Sequence, residues 1–375
     1  MSKAARNAGY TKEYNRKLFL RLLRSGPLSR AEIARQMGLT RAATSLIAEE
    51  LLQEGKIKET APSGIPQLGR TPVPLALRQN AAYAIGIYLN RSGCTIGLVD
   101  LRGDVLLRET LDLGEQPLQP LIRRLSAILA EAAIPEDRMA GIGISAPGPL
   151  DGENGRILNP PHFSLWQQTD IGPALEKALS VPVYLENDAS CLARYHLGKA
   201  EAQGSENFLL LLADGGIGSG VISKGKVLKG AGYFTSELGH ISINHLGPEC
   251  ACGNRGCLEL YASIPHLLQG SGYHSWRQVI DALPETEALR LVMQEAEYLA
   301  AGITTMSNLV SIDTVLLAGD LLIGAEHLIP LMEAQVNRRI LRRDILPIRV
   351  LPGRSDPDDQ IKAAADAAFD RYLMV

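Results

Sequence analysis

The sequence lacks long apolar runs and a hydrophobic leader. Its longest uninterrupted apolar segment is Phe208–Ala213, far short of the roughly 20 apolar residues that a membrane-spanning helix needs. The first 17 residues are polar and do not contain the apolar core of a secretory signal peptide. We therefore expect a cytoplasmic protein with no membrane attachment.

Cysteine is also scarce. The chain has 375 residues and five cysteines, an odd number, and three of them fall between Cys250 and Cys257. This distribution argues against a disulfide framework and favours a local metal site. The remaining composition, 46% hydrophobic and 21% charged, is typical of a soluble globular protein of two or three domains.

The net charge of −3 conceals an asymmetry along the chain. Residues 1–80 contain 14 basic and six acidic side chains, a net charge of +8, which leaves −11 for residues 81–375. A basic segment on an acidic body indicates that the N-terminal part meets a polyanion.

The N-terminal segment has the pattern of three helices followed by a strand pair. Apolar spacing and stop signals predict helices over 14–24, 30–37 and 40–53, strands over 56–60 and 73–77, and a loop over 62–70. Ser29 and Glu32 form a capping box, and Thr40 caps the third helix. The pattern predicts a winged helix-turn-helix, and the alternative is a helical domain with no DNA role. The predicted buried stripe of the third helix is Leu46, Ile47, Leu51 and Leu52.

Beyond this head, helix and strand segments alternate. Predicted strands such as 140–145, 208–212 and 314–317 are separated by helices, and a last helix covers 360–373. Such alternation predicts an α/β protein with strands covered on both faces.

The three clustered cysteines predict a metal centre. Cys250, Cys252 and Cys257 are separated by glycines that permit tight turns. Structural zinc takes four Cys or His ligands in a tetrahedron, so His240 or His245 is the expected fourth ligand. Acidic neighbours favour His240, and we expect one structural zinc ion per chain. Three unligated thiols in a loop are the alternative.

At this cluster the sequence resembles a known family. Gly239-His240 is followed by Cys-x-Cys-Gly-x-x-Gly-Cys-x-Glu, and four other segments occur in the family's order: 143–149, 155–159, 186–189 and 216–220. Together they resemble the ROK family of repressors, open reading frames and kinases. With the N-terminal head and Gly69-Arg70-x-Pro72, the layout is similar to the sugar-responsive repressors of that family.

The resemblance implies an actin-like, ribonuclease-H-like body with two α/β lobes around a sugar cleft. The expected domains are 1–80 for the head, 81–185 for the first lobe, completed by the C-terminal helix 359–375, and 186–358 for the second lobe. The resemblance also implies the sugar-binding residues: Asn187, Asp188, Glu237, His240 and Glu259, with Gly148 and Asn159 close by. Carboxylates and amides suit this task because they grip hydroxyls directionally.

The segments that correspond to phosphate loops are altered. Asp188 would be the base in a kinase of this family. However, Tyr88–Ser92 has no glycine where the family has two, and Asp214 and Asp320 add negative charge to the other two glycine-rich segments. Backbone amides reach phosphate only where side chains do not intrude. We therefore predict a sugar sensor and not an enzyme; the alternative is an active ATP-dependent sugar kinase with a DNA-binding head.

The third helix of the head is the predicted DNA reader. Its polar N-terminal residues are expected to face base edges: Thr40, Arg41, Thr44 and Ser45. Arg70, in the wing loop, is expected to enter the neighbouring minor groove. The resemblance implies a homodimer or a dimer of dimers on a near-palindromic operator, regulated by a small sugar or sugar phosphate, with regulation by a protein partner as a further alternative.

Overall fold

The computed structural model describes residues 8–61, 73–91, 93–161, 163–213, 215–230 and 236–373. Helices and strands are numbered in chain order. The N-terminal head contains α1 (Ala8–Leu23), β1 (Leu28–Ser29), α2 (Arg30–Met37), α3 (Arg41–Gln53), β2 (Ile57–Glu59) and β3 (Pro74–Leu77).

The head is a helix-turn-helix with a small sheet. The predicted capping box is present: the Glu32 amide donates to the Ser29 side chain, and the Ser29 amide donates to the Glu32 carboxylate. Gly38 ends α2 in the left-handed conformation, with φ of 65°, which glycine adopts without strain. β3 pairs antiparallel with both β1 and β2. The predicted wing loop, with Gly69, Arg70 and Pro72, lies outside the described residues.

The body begins with a five-stranded sheet. The elements of this first lobe are β4 (Tyr83–Asn90), β5 (Gly93–Asp100), β6 (Val105–Leu111), α4 (Leu118–Ala132), β7 (Met139–Ala146), β8 (Leu150–Asp151), β9 (Arg156–Ile157), α5 (Ile171–Leu179) and β10 (Val183–Asn187). The order in the sheet is β10-β7-β4-β5-β6, with β4, β5 and β6 antiparallel and β7 and β10 parallel to β4. β10 runs two residues beyond the predicted lobe boundary at 185.

The second lobe repeats this arrangement. Its elements are α6 (Asp188–His196), β11 (Phe208–Ala213), β12 (Ile217–Ser223), β13 (Lys226–Val227), α7 (Glu259–Ala262), α8 (Ile264–Leu267), α9 (Trp276–Asp281), α10 (Thr286–Leu309), β14 (Thr314–Gly319), α11 (Ala325–Arg339) and β15 (Arg349–Pro352). The sheet order is β15-β14-β11-β12-β13, with the same mixture of antiparallel and parallel pairs as in the first lobe. The predicted α/β class with two lobes is confirmed.

The last helix, α12 (Pro357–Tyr372), returns to the first lobe. A Cβ at Gly143 on β7 would overlap the carbonyl of Ala364, so glycine there permits the helix to lie directly on the sheet. α12 also packs against the head, because Phe19, Leu20 and Leu23 of α1 share a hydrophobic core with Ile361 and Phe369. One helix therefore contacts both the head and the body.

The prediction that Leu46 belongs to the core is wrong. Leu46 was expected in the buried stripe of α3, but its side chain is 64% exposed, whereas Ile47 and Leu51 are buried. Leu46 lies at the edge of the apolar stripe, where one step along a helix turns a side chain by about 100°. Within the residues described, no helix combines the length and apolar character needed to cross a membrane.

Candidate functional site

Asn187 and Asp188 lie where β10 ends and α6 begins. The Oδ1 atom of Asn187 accepts a hydrogen bond from the Ser190 amide at 3.0 Å, and its Nδ2 atom donates to Oδ1 of Asp188 at 3.1 Å. The same Asp188 oxygen accepts from the Ala189 amide at 2.7 Å. Asn187 is therefore an N-cap, and these bonds fix both side chains at the end of the strand.

Gly148, from the loop after β7, brings residues of both lobes together. A Cβ at this position would lie 3.1 Å from Oε1 of Glu237 and 3.5 Å from Nδ2 of Asn187. Desolvation by the surrounding protein raises the pKa of Glu237; His240 opposes this, and the negative charge of Glu259 adds to it. Three predicted sugar-site residues thus border one space between the lobes.

Glu259 is the first residue of α7 and borders the glycine-rich start of β12. Its Oε2 atom accepts a hydrogen bond from the Ile217 amide at 2.9 Å. The same atom would lie 2.6 Å from a Cβ at Gly216. A side chain at 216 would displace this carboxylate, so the glycine is what allows Glu259 to take its place.

Arg91 connects the two lobes, a role that its place in the Tyr88–Ser92 segment does not predict. It follows β4 in the first lobe, and its guanidinium donates to the carbonyl oxygen of Gly215 in the second lobe. Its Nη2 atom would lie 2.8 Å from a Cβ at Gly216, the same point that Glu259 borders. The sequence does carry one signal for this bridge. Arg91 is a basic residue at a position where the family resemblance predicts a glycine. Asp214 lies outside the described residues.

Asn159 is the predicted sugar residue that the structure does not join to the others. Its Oδ1 atom accepts a hydrogen bond from Nε2 of Gln168 at 2.7 Å, and its side chain is exposed on the first lobe. This hydrogen bond of Asn159 therefore lies within its own lobe.

Four predicted metal ligands converge in the second lobe. The donor atoms of His240, Cys250, Cys252 and Cys257 all lie within 4.8 Å of one another. Sγ of Cys250 is 3.8 Å from Nδ1 of His240, and Sγ of Cys252 is 3.6 Å from Sγ of Cys257. Tetrahedral bonds of about 2.0–2.3 Å to zinc would separate ligand atoms by roughly 3.5–3.8 Å. The donor set and its spacing fit a zinc ion, and His245 is outside the cluster.

The loop that carries the thiols is held by hydrogen bonds to backbone carbonyl oxygens. The Cys250 amide donates to the Asn254 carbonyl at 2.8 Å, and the Asn254 side chain donates to the His240 carbonyl at 2.9 Å. Burial raises the pKa of the Cys257 thiol to about 12, so a bound cation would have to displace its proton. Because His240 follows Glu237 by three residues and Cys257 precedes Glu259 by two, the metal cluster and the cleft share their supporting segments.

The start of α3 presents a different surface from the predicted one. Thr40 caps the helix, its Oγ1 atom accepting from the Ala43 amide at 3.2 Å, and Arg41 is exposed. Thr44 was expected to face DNA, but its side chain is buried and its hydroxyl donates to the Thr40 carbonyl at 3.0 Å. Ser45 is half-buried. The exposed face of α3 therefore runs from Arg41 past Ser45 to Leu46.

Known proteins are similar to this chain over nearly its whole length. A protein-family model described as the ROK family matches residues 84–357. The chain is 28% identical to the xylose repressor of Bacillus subtilis (strain 168), over 97% of each protein. It is also 28% identical to the N-acetylglucosamine repressor of Escherichia coli O6:H1, over 98% of this chain and 95% of that protein.

A solved structure gives the same result for the fold. The crystal structure of a ROK family transcriptional regulator, described as a homolog of the E. coli MLC protein, is similar with a TM-score of 0.80 at 26% identity. The similarity covers 97% of this chain and 98% of that one. The class that these matches define is a two-lobed α/β body carrying a helix-turn-helix head. The chain belongs to the ROK family.

Proposed function

We propose that this protein is a DNA-binding transcriptional repressor of carbohydrate-utilisation genes, controlled by a sugar or sugar phosphate that binds between its lobes. The observation that carries the proposal is the convergence of Asn187, Glu237 and Gly148 on one space in a chain that also has a helix-turn-helix head. Two relatives that are named for different sugars are both 28% identical to this chain. Sequence identity therefore does not indicate which sugar is the effector.

The proposed sugar site uses hydrogen-bonding side chains from both lobes. Carboxylates accept hydrogen bonds from sugar hydroxyls, and the amide of Asn187 both donates and accepts. The proposed contacts are Asn187, Asp188, Glu237, His240 and Glu259, with Gly148 at the border. Asn159, which the structure does not join to them, would reach the sugar only from the first lobe. Sugar bound by both lobes would favour one relative orientation of the lobes over others.

The four-residue cluster is proposed to hold one structural zinc ion. His240 and the three cysteines would supply its ligands, and the ion would brace the segments that carry Glu237 and Glu259. A structural zinc ion stabilises the fold in which its ligands converge.

The body is proposed to lack kinase activity. Phosphoryl transfer depends on positioning and on neutralising phosphate charge. Here the guanidinium of Arg91, in the first altered loop, donates a hydrogen bond to the carbonyl oxygen of Gly215, in the second. The family resemblance implies that a nucleotide would bind in this region. The alternative, an ATP-dependent sugar kinase with Asp188 as base, predicts sugar-dependent ADP release. Turnover that Asp188→Asn abolishes would favour the kinase; no turnover with a sugar that binds would favour the sensor.

For DNA, the proposal uses the exposed face of α3 together with Arg70 in the wing loop. Thr40, Arg41 and Ser45 are the proposed polar contacts, and Leu46 joins them because apolar side chains contact the thymine methyl group. A single small head binds weakly, so we propose a homodimer or a dimer of dimers on a near-palindromic operator.

A path of contacts supports coupling between the two sites. Arg194 on α6, the helix that begins at Asp188, donates to the Ala363 carbonyl on α12 at 3.3 Å. Asp366, one turn further along α12, pairs with Arg24 of the head at 2.5 Å. A shift of α6 on sugar binding would therefore move α12 and change the contacts between the head and the body.

A thermal-shift screen tests the effector assignment. Monosaccharides and disaccharides, each with and without a phosphate group, would be added to the full-length protein. A ligand stabilises the state that it binds, so a genuine effector raises the melting temperature of the wild type and not of Asp188→Asn. No stabilisation by any sugar would contradict a sugar-binding cleft.

A further inference from the structure

A cavity separate from the sugar cleft lies where the head, both lobes and α12 meet. It has a volume of about 820 Å³. The head contributes Arg21, Arg24 and Ser25 from the end of α1, and α12 contributes Lys362 among others. α3 contributes no residue to this lining, so the cavity is not part of the DNA-reading surface.

The lining of this junction cavity is strongly cationic. Among the described residues, nine basic side chains and three acidic ones line it. The basic residues are Arg21, Arg24, Arg102, Arg194, Lys199, Lys226, Lys229, Lys362 and Arg371; the acidic ones are Glu186, Asp366 and Asp370. Basic side chains in a cleft with low-dielectric walls raise the local concentration of anions.

The three acidic residues already have partners. Asp366 pairs with Arg24 at 2.5 Å, and Asp370 lies 3.3 Å from Arg194. Glu186 is buried and pairs with both Arg194 and Lys229, the latter at 3.0 Å. These three acids pair with Arg24, Arg194 and Lys229, and Asp104, which is not part of the lining, lies 3.2 Å from Arg102.

Three outer cations have no carboxylate within 4 Å in the part of the chain that the structure describes. They come from three parts of the molecule: Arg21 from the head, Lys226 from β13 of the second lobe, and Lys362 from α12. Lys199 adds a fourth positive charge that rests on the Tyr195 ring, 4.2 Å from its centroid. A ligand here would meet positive charge from several directions.

Phosphate is the ligand chemistry that this arrangement suits. A phosphate monoester carries roughly two negative charges at neutral pH and presents three acceptor oxygens, and lysine and arginine are its usual partners. Neutral sugar hydroxyls do not need such an excess of cations.

We propose that a small phosphate-bearing molecule binds the junction cavity and joins the head to the body. Arg21, Lys226 and Lys362 are its proposed ligands. By bridging three parts of the chain, the anion restricts the orientation of the helix-turn-helix relative to the lobes. The binding itself is independent of the sugar; only its consequence for operator affinity rests on the proposed function.

The test measures anion binding to the full-length protein without DNA. Inorganic phosphate and pyrophosphate are titrated by calorimetry, with ionic strength held constant by chloride. The variant Arg21→Gln/Lys226→Gln/Lys362→Gln should bind pyrophosphate at least about tenfold more weakly than the wild type. The matched control Arg123→Gln/Lys177→Gln/Arg277→Gln also removes three exposed positive charges, none of which lines the cavity. It should bind pyrophosphate like the wild type.

Two results would overturn the proposal. One is pyrophosphate binding that is absent at matched ionic strength or equal in the two triple variants. The other is a combined result: the wild type does not bind pyrophosphate, and the Arg21→Gln/Lys226→Gln/Lys362→Gln variant loses affinity for random duplex DNA. The cavity would then be a contact for the DNA backbone. In either case the wild-type protein can still bind its operator and respond to the sugar, so failure here is distinguishable from failure of the proposed function.

Discussion

Single side chains connect the two lobes across the cleft. Arg91 donates a hydrogen bond across the lobes to Gly215 and lies near Glu259, which itself accepts from Ile217. A cation at this point bridges the lobes and occupies space beside the glycine-rich start of β12. The cleft therefore has a bridge between its lobes that is made by the protein itself.

Arg91→Ala tests this bridge. Loss of one exposed, charge-assisted hydrogen bond should cost about 1 kcal/mol, which we expect to appear as roughly fivefold weaker sugar binding in calorimetry. The control Arg123→Ala changes an exposed arginine for which no ion pair is found among the described residues. Sugar affinity that is equal in Arg91→Ala and wild type would mean that the bridge does not contribute to the closed cleft.

Glu295 on α10 is a second residue with a measurable consequence. Its side chain is fully buried, neither carboxylate oxygen has a hydrogen-bond partner among the described residues, and burial raises its pKa well above the usual 4.5. Above about pH 4.5 the unfolded chain loses this proton while the folded protein retains it, so folding becomes less favourable as pH rises towards the raised pKa.

Glu295→Gln removes that titration. The stability of the wild type relative to this variant should therefore fall between pH 5 and pH 8, as measured by chemical denaturation at several pH values. Glu136→Gln, at an exposed position, serves as the control and should leave the pH dependence unchanged. A difference between wild type and Glu295→Gln that stays constant with pH would show that Glu295 ionises normally.

Among the elements, α3 carries the largest difference between the expected and the observed surface. Thr44 bonds back to Thr40 within the helix, whereas Leu46 projects to solvent. Leu46→Ala should weaken operator binding, by up to about 1 kcal/mol for loss of an apolar contact, without lowering the melting temperature. Thr44→Ala should lower the melting temperature and leave base preference intact. Gel-shift titrations on operator variants and thermal melts separate the two effects, and a reversed pattern would contradict the assigned face of α3.

The loop that carries Cys250, Cys252 and Cys257 is the second element with a clear test. Elemental analysis of protein purified without chelators should find about one zinc ion per chain, and Cys252→Ser should reduce it. Because the loop supports Glu259, this variant should also bind sugar more weakly than the control His245→Ala, which lies outside the cluster. Zinc-free wild-type protein with unchanged sugar affinity would contradict both the metal and its bracing role.

The elements were predictable where their signals are local. The capping box at Ser29 and the cap at Thr40 gave the starts of α2 and α3, because caps act within one turn. Leu46 and Thr44 were misplaced because periodicity does not fix the edges of a buried stripe. The bridge from Arg91 to Gly215 joins residues 124 positions apart, and no local pattern reports such a contact. The sugar residues came from family resemblance, not from spacing.

In the whole molecule, the head is part of the same packed structure as the body. Phe19 and Leu23 of α1 share a core with Ala365 and Phe369 of α12, and Arg138 of the first lobe donates to the Asn80 carbonyl at 2.8 Å and to the Glu54 carbonyl at 3.2 Å. This packing makes the position of α3 depend on the body. A sugar that changes the relative orientation of the lobes would therefore change how the head is presented to DNA.

The central claim is that sugar occupancy of the cleft changes specific DNA binding. The direct measurement is a fluorescence titration of the full-length protein against the promoter region beside its own gene and against random duplex. It is performed at one stated salt concentration, with and without the sugar found by thermal shift. We predict about 1000-fold or greater preference for the promoter DNA, an affinity that the sugar changes by about tenfold or more, and an Asp188→Asn variant that binds the promoter but ignores the sugar. Promoter DNA bound no better than random duplex, under every sugar tried, would contradict the account.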